Sequence, residues 1–167
     1  MRNAKRRPSD SEITAFYSRH SAAVYRLCLS YLKNPEDAAD AAQETFLKWL
    51  SALPELETPE HEIGWLVLTA GNLCKDMLRR SKRRPREQLE AAYDLGRDEK
   101  GFENAEVLEA VMALPGKYKN VVFLFYYEDM STAQISRVTG IKQSTVTSLL
   151  VRARRLLKKA LGDDDYE

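Results

Sequence analysis

Four apolar residues near the carboxyl end of the sequence recur with the period of an α-helix. They stand at i, i+4, i+7 and i+11 of a segment from about Gln143 to Ala160, so they share one side of the predicted helix. These residues are Val146, Leu150, Ala153 and Leu157. Leu, Ala, Glu, Lys and Arg recur at helical spacing elsewhere too, while glycine and proline are scarce, at seven and six residues. The sequence therefore predicts an all-α fold.

A single glycine, Gly140, separates this helix from a shorter apolar pattern. Ser131 or Thr132 can cap the short helix, which directs Ile135 and Val138 inward. Gly140 allows the positive φ that a tight turn requires. The spacing predicts a helix-turn-helix, in which the second helix enters a major groove of DNA with its first residues toward the bases. A helical hairpin that does not bind DNA is the alternative.

The polar side of the second predicted helix carries residue types that contact the base edges and the phosphates of DNA. Hydroxyl and amide groups at its start can bond to base edges or phosphates, and its cations suit phosphates. The first group comprises Gln143, Ser144, Thr145, Thr147 and Ser148, and the second comprises Lys142, Arg152, Arg154, Arg155, Lys158 and Lys159. A DNA-reading helix whose other side packs on the protein is thus predicted.

Charges along the chain are sorted into blocks, although 26 basic and 25 acidic residues nearly cancel. Between Lys75 and Arg86, seven basic residues face one acid, a density that attracts polyanions such as nucleic acid. Between Glu87 and Glu109, eight acids face two basic residues, and residues 85–104 are predicted to form a flexible acidic linker. Charge runs that merely solvate helices are the alternative interpretation.

Two segments complete the predicted carboxy-terminal module. A helix with one apolar face is expected from Glu106 to Leu114, where Pro115-Gly116 ends it. The run from Val121 to Tyr127 is apolar or aromatic throughout and is predicted to be the buried spine of a small bundle. Its seven residues are far fewer than the roughly 20 that a bilayer requires, so no membrane span is predicted.

The amino-terminal half is predicted to form three helices, over about Phe16–Leu32, Pro35–Leu53 and Ile63–Ser81, with a loop at Pro54–Glu62. The second helix has an acid-rich polar side, which either solvation or a basic partner surface explains. That side consists of Asp37, Asp40, Gln43, Glu44 and Lys48.

The third helix ends in the first basic block and carries two further candidates. Trp65 suits either a core anchor or a platform on which an unpaired base stacks. Asn72 suits either a hydrogen bond inside the fold or an adenine edge. An aromatic side chain beside a dense cationic run is the composition that binds unpaired strands.

Residues suited to catalysis or metal binding are sparse. His20 and His61 are isolated, and no metalloprotease, P-loop or nucleophile-elbow motif occurs, so neither an enzyme nor a cofactor is predicted. Cys28 and Cys74 lack metal-ligand spacing and are expected to be small buried residues, without a disulfide or zinc. No apolar segment follows the basic amino terminus, so no secretory signal is predicted and a cytoplasmic location is expected.

Two sets of motifs resemble the bacterial RNA polymerase sigma factors of the small, two-domain extracytoplasmic-function (ECF) type. DAADAAQETFLKWL (Asp37–Leu50) and GWLVLTAGNLCKDMLRRSKRR (Gly64–Arg84) resemble region 2, which binds core polymerase and the minus-ten element. LPGKYKNVVFLFYYEDMSTAQISRVTG (Leu114–Gly140) and STVTSLLVRARRLLKKAL (Ser144–Leu161) resemble region 4, which reads the minus-thirty-five element. The resemblance implies two small helical domains, at 12–84 and 105–161, joined by the linker at 85–104.

The resemblance also implies partners for each surface. Core RNA polymerase would dock on the acid-rich side, Asp37, Asp40, Gln43, Glu44 and Lys48. Promoter duplex and the melted non-template strand at the minus-ten element would contact Trp65, Asn72, Lys75, Arg79, Arg80, Lys82, Arg83 and Arg84. The minus-thirty-five element would contact Lys142, Gln143, Ser144, Thr145, Thr147, Ser148, Arg152, Arg154 and Arg155. An anti-sigma factor is a further implied partner, with Leu149 and Val151 as candidate contacts.

The sequence departs from the family at four positions that are commonly basic there. These are Leu68 and Gly71 in the third helix, and Thr147 and Leu149 in the reading helix. Fewer phosphate contacts, and weaker or differently specified binding, are expected. A free-standing repressor is the main alternative, but it leaves the acidic helix and the first basic block without a role, and it normally requires a dimer.

Overall fold

The structure of the protein is a computed structural model, and it describes residues 5–81 and 105–162 except for the side chains of Ala105 and Leu108. Every regular element in these two ranges is helical, which confirms the all-α prediction. The elements are α1 (Asp10–Leu32), α2 (Pro35–Ala52), α3 (Pro59–Arg80), α4 (Ala105–Ala113), α5 (Gly116–Val122), a π-helical segment (Phe123–Tyr127), α6 (Thr132–Thr139) and α7 (Gln143–Leu161). The predicted linker at 85–104 lies outside the described residues, as do Lys82, Arg83 and Arg84.

Helix α3 begins at Pro59, earlier than the Ile63 that the apolar pattern indicates. The side chain of Thr58 accepts a hydrogen bond from the backbone nitrogen of His61 at 3.1 Å, and Pro59 suits the first helical position. A capping box likewise starts α1 at Asp10, well before its first buried residue. Capping groups, rather than apolar residues, therefore set where these helices begin.

Helices α6 and α7 form the predicted helix-turn-helix. Ser131, rather than Thr132, caps α6, because its hydroxyl accepts a hydrogen bond from the backbone nitrogen of Gln134 at 3.1 Å. Gly140 ends α6 with a φ of 77°, which favours glycine, and Ile135 is fully buried. The turn therefore forms as the sequence predicts.

The predicted apolar spine is only partly buried. Phe123 and Leu124 are buried, but Tyr126 is 50% exposed, so the expectation of a continuous buried run is wrong at this position. The backbone passes from α5 into a π-helical segment here, and the wider turn changes the direction in which the aromatic side chains point. Tyr126 is thereby available to α7, as described below.

Helices α1, α2 and α3 pack around Leu27, Phe46 and Leu66, and α4 to α7 pack around Leu124 and Val146. We call these two groups the amino module and the carboxy module. Helix α3 also contacts α5 and α6, and α1 also contacts α4 and α5, so the buried side chains form one continuous cluster through both modules. The sequence made no prediction about this arrangement.

Cys28 of α1 and Cys74 of α3 are both fully buried, as predicted, and both are free thiols. Their proximity was not predicted. A hydrogen bond with Cys74, together with burial, raises the pKa of the Cys28 thiol. Because the thiolate is the reactive form, this environment makes Cys28 an inert core residue.

Candidate nucleic-acid interface

Helix α7 separates an apolar side from a polar side along its length. Val146, Leu150 and Ala153 are buried as predicted, and Leu157 is half-buried. All nine residues of the predicted minus-thirty-five set are exposed. The carboxy module therefore holds α7 by one side and leaves the other accessible over about five turns, enough to lie in a major groove.

The side chains of this polar surface have different surroundings. At about 100° per residue, Ser144, Ser148 and Arg155 point away from the buried stripe. Arg154 lies nearer the protein, where its Nε donates to the Tyr126 hydroxyl at 2.6 Å and its guanidinium carbon lies 5.4 Å from the centroid of the Phe125 ring. A phosphate contact by Arg154 must therefore compete with this aromatic clamp.

Polar groups at the start of α7 are oriented by bonds within the helix-turn-helix. Thr147 and Ser148 donate their hydroxyl protons to the carbonyls of Gln143 and Ser144, at 3.0 and 2.9 Å. The Gln143 side chain donates to the hydroxyl of Thr132 at 3.0 Å and so joins α7 to α6. With their protons committed, Thr147 and Ser148 can offer lone pairs to donor groups of bases.

The predicted minus-ten residues occupy a more varied surface on α3. Trp65 is half-buried and packs on the core, so it is an anchor with part of its ring exposed. Asn72 is exposed, so its side chain is accessible to a ligand. Arg79 and Arg80 are exposed, whereas Lys75 is half-buried beside the carboxy module.

The acid-rich side of α2 is accessible, with Asp40, Gln43, Glu44 and Lys48 exposed and Asp37 half-buried. Its carboxylates make a negative surface on the far side of α2 from the buried Ala38, Ala41 and Thr45. These five polar residues are therefore accessible to solvent, fully or in part.

Two apolar residues beside this acidic surface were missed. Leu47 is 49% exposed on α2, and Tyr17 of α1 is 52% exposed across from it. Both line a groove of about 740 Å³ between α1 and α2, together with Gln43 and Phe46. Leu47 follows Gln43 by four residues, which was a signal that it shares their side of the helix, but nothing local places Tyr17 there.

Among residues 5–81 and 105–162, no group of three or more His, Cys, Asp or Glu side chains is arranged to hold a metal ion. In the same part of the chain, none of the helices is both long and apolar enough to cross a membrane.

Comparison with known proteins matches both halves of the chain. Residues 16–84 match the family described as Sigma-70 region 2, and residues 104–157 match the one described as Sigma-70, region 4. The RNA polymerase sigma factor SigV of Bacillus subtilis is 31% identical over 147 residues, which cover 87% of this chain and 89% of SigV. The chain belongs to the ECF sigma-factor family. SigM of Mycobacterium tuberculosis, an ECF RNA polymerase sigma factor, is also 31% identical over 147 residues, covering 87% of this chain and 75% of SigM.

Sigma factors bind core RNA polymerase and direct it to promoter DNA, so this ECF sigma factor is a transcription initiation factor. Two solved structures share its fold. CnrH in complex with the cytosolic domain of CnrY has a TM-score of 0.68 at 22% identity, covering 94% of this chain and 92% of CnrH. The sigma factor RpoE in complex with the anti-sigma factor NepR, from Bartonella quintana, has a TM-score of 0.67 at 15% identity, covering 93% of this chain and 99% of RpoE. Both similarities extend through the two modules.

Proposed function

We propose that this ECF sigma factor binds core polymerase through α2 and contacts a promoter at two elements, the minus-ten with α3 and the minus-thirty-five with α7. The region 2-like domain then comprises residues 12–84 and the region 4-like domain residues 105–161, with 85–104 as their linker. The factor acts by binding alone, without a catalytic step, in the cytoplasm where the polymerase works. The observation that carries the proposal is α7, whose apolar side is buried while all its predicted reading residues are exposed.

The proposed polymerase contact combines charge with apolar surface. Asp40 and Glu44 supply carboxylates for a basic surface on the polymerase, and Leu47 and Tyr17 supply exposed apolar area beside them. Interfaces of this kind gain speed and specificity from the charges and affinity from the apolar anchors. The groove between α1 and α2 thus extends the predicted docking surface beyond α2.

The proposed minus-ten contact places Trp65 and Asn72 on one edge of α3. The exposed part of the Trp65 ring can stack on a base that leaves the duplex, and this stacking offsets part of the unstacking cost. Arg79 and Arg80 lie in the last turn of α3, where they add phosphate contacts.

Charge reversal on α2 tests this assignment. With core polymerase from Bacillus subtilis, we expect Asp40→Arg to weaken binding at least about a hundredfold, because like charges across an interface cost several kcal/mol. Fluorescence titration measures the affinity, and run-off transcription on a promoter library measures function. Glu109→Arg, the same reversal at an exposed residue of α4, is the matched control. Normal transcription by Asp40→Arg excludes the docking role of α2.

We also propose that an anti-sigma factor regulates this protein through α7. Val151 is 40% exposed among the polar residues of the helix, whereas Leu149 packs partly on the core, so Val151 is the more accessible of the two candidates. Replacing both with serine should weaken capture of that partner, and unchanged capture excludes this surface. The repressor alternative predicts no association with core polymerase, so the titration above also decides between the two functions.

A further inference from the structure

A second groove, of about 730 Å³, lies between the ends of α1 and α3 on one side and the junction of α4 and α5 on the other. Among the described residues that line it are five basic side chains and one acid, Asp37. The basic residues are Lys33, Lys75, Arg79, Arg80 and Lys119. We call this space the cationic groove. Because Lys119 belongs to the carboxy module and the other four belong to the amino module, the groove forms only in the folded chain.

Two of the lysines lie around the ring of Tyr31. The Nζ atom of Lys119 is 4.9 Å from the centroid of this ring. A Cβ atom added at Gly116 would lie 3.3 Å from Cε1 of the same ring and 3.0 Å from Cε of Lys75. Burial, and then repulsion by Lys33, lowers the pKa of the Lys119 amine to about 8. Amines from the end of α1, from α3 and from α5 therefore converge in one small volume.

This convergence leaves an excess of positive charge. Like charges that are brought together and partly removed from water destabilise a fold. Asp37 lines the groove, and Asp76, which does not line it, pairs with Arg79 at 3.2 Å. Among the described groups, these two carboxylates offset two of the five positive charges and leave three. A concave surface with such an excess attracts anions from solution.

The size and the remaining lining of the groove indicate what kind of anion fits. Its volume falls within the range of small-molecule pockets, roughly 300–1,000 Å³. Aliphatic side chains make up much of the rest of the lining, namely Leu32, Met77, Leu78, Met112 and Leu114. Linked phosphates can contact the cations, while an organic group such as a nucleoside covers the aliphatic side chains. The lining therefore suits a small molecule better than a simple inorganic ion.

The DNA backbone is the competing explanation for these cations, since Lys75, Arg79 and Arg80 belong to the predicted minus-ten set. It does not account for Lys33 and Lys119, which lie outside that set. Lys119 is only 5% exposed, so a ligand must enter the groove to contact it. A small anion can do so, whereas each phosphate of a strand is joined to two sugars that must enter with it. The recessed lysines therefore favour a small ligand.

We propose that the cationic groove binds a small molecule that carries two or more linked phosphates, with Lys33, Lys75 and Lys119 contacting the phosphate oxygens. Arg79 and Arg80 contact further oxygens, because a guanidinium group can form paired hydrogen bonds with a phosphate. The bound anion stabilises the folded chain, since the unfolded chain lacks the groove. The site does not rest on the proposed function, because it requires neither polymerase nor promoter.

Isothermal titration calorimetry of the full-length protein tests the site with ATP, GTP and inorganic tripolyphosphate. Potassium chloride at about 150 mM limits the Debye length to about 8 Å and so screens unspecific attraction. We expect saturable, one-to-one binding of tripolyphosphate. Tighter binding of ATP or GTP would show that the aliphatic side chains also contact a nucleoside, and equal binding would assign the site to the phosphate chain alone. If none of the three compounds gives saturable binding, the proposal is wrong.

Lys33→Gln and Lys119→Met each remove one charge from the groove and keep a side chain of similar length. We expect each to weaken tripolyphosphate binding at least about fivefold, through loss of a charge-assisted hydrogen bond. Lys117→Gln is the matched control, because it removes a charge from an exposed residue of α5 that does not line the groove. It should change the affinity less than about twofold. Circular dichroism establishes folding, and if Lys119→Met is unfolded, the Lys33→Gln result decides.

Two results with the variants would overturn the proposal. One is unchanged affinity in either folded groove variant, or an equal loss in Lys117→Gln, since binding would then depend on net charge alone. The other concerns a randomised single-stranded DNA of about 20 nucleotides. If the groove variants bind this DNA more weakly but bind all three phosphate compounds normally, the groove belongs to the DNA surface. Failure of the parent protein to bind core polymerase would instead refute the proposed function, which calorimetry with these compounds does not test.

Discussion

Helices α3 and α7 each carry a stripe of four residues with the same spacing, but the two stripes pack against different parts of the protein. In α7 the stripe is apolar and packs inside its own module, so the opposite side is wholly available to a ligand. In α3 the stripe consists of Gly64, Leu68, Gly71 and Lys75, and it contacts the other module, while a different side forms the core of its own module. When a helix packs on one side only, its own sequence pattern is enough to show which residues are exposed. When it packs on two sides, the exposed residues also depend on which other helix covers the second side.

The comparison gives a second meaning to the departures from the family pattern. Leu68 and Gly71 imply fewer phosphate contacts, and that expectation still stands as a prediction. The structure adds that Gly71 admits Asn120 to within van der Waals contact of α3. A long basic side chain at position 71 would occupy the space that the carboxy module fills. The same residue therefore bears both on the predicted loss of a DNA contact and on the packing of Asn120 against α3.

The largest effect is expected from truncating a buried leucine in each helix, which tests whether that helix packs in the core of its module. Leu66 of α3 and Leu150 of α7 are almost fully buried, at 0% and 2% exposure. Leu66→Ala and Leu150→Ala should each lower the free energy of unfolding by about 3 kcal/mol, through lost transfer energy and a residual cavity. Urea unfolding followed by circular dichroism measures both. A cost below about 1 kcal/mol for either variant would show that its helix is packed differently.

The next effect is a pH dependence of the free energy of unfolding, and it arises from Lys119 in the module that packs on the second side of α3. The amine of Lys119 has its pKa lowered to about 8, so the folded protein binds fewer protons than the unfolded chain between pH 8 and about 10. The free energy of unfolding should therefore rise with pH in this window, by up to about 1.4 kcal/mol per pH unit. The groove that Lys119 lines also contains the charged or titratable groups of Tyr31, Lys33, Asp37, Lys75, Arg79 and Arg80, and Lys33 and Cys74 act on the pKa of the amine through their charges.

Tyr31 sets the upper limit of that window. Burial raises the pKa of its hydroxyl well above its usual range, so above about pH 10 the unfolded chain loses a proton that the folded protein keeps, and stability falls again. Parallel unfolding of the parent protein and Lys119→Met from pH 7 to 10 isolates the amine. If both proteins show the same slope, Lys119 does not titrate as its burial indicates.

The smallest expected effect separates two arginines of α7. Arg152→Ala should reduce the salt dependence of binding to duplex DNA by about one counterion, with little change in sequence preference, because a phosphate contact carries no sequence information. Arg154→Ala should affect this slope less and instead lower stability by about 1 kcal/mol, since Arg154 is bound to Tyr126. Fluorescence anisotropy at several salt concentrations measures the slopes. A sequence-selective loss from Arg152→Ala would place that side chain at the bases.

Much of the proposed DNA surface was predictable, and the polymerase surface only in part. The exposed minus-thirty-five residues follow from their distance around α7 from the stripe that begins at Val146. Leu47 was recoverable from its spacing to Gln43. Tyr17, by contrast, reaches the same groove from α1, and only the packing of two helices brings it there.

The sequence by itself determined the all-α class, the turn at Gly140 and the two sides of α7, because helical period, capping and turn geometry depend on residues within a few positions of each other. The tertiary structure decided that Val138 packs on Gly64, that Lys119 is buried beside α1, and that the two modules share one continuous core. These contacts join residues distant in the chain. Their formation depends on how whole helices fit together, which no local pattern specifies.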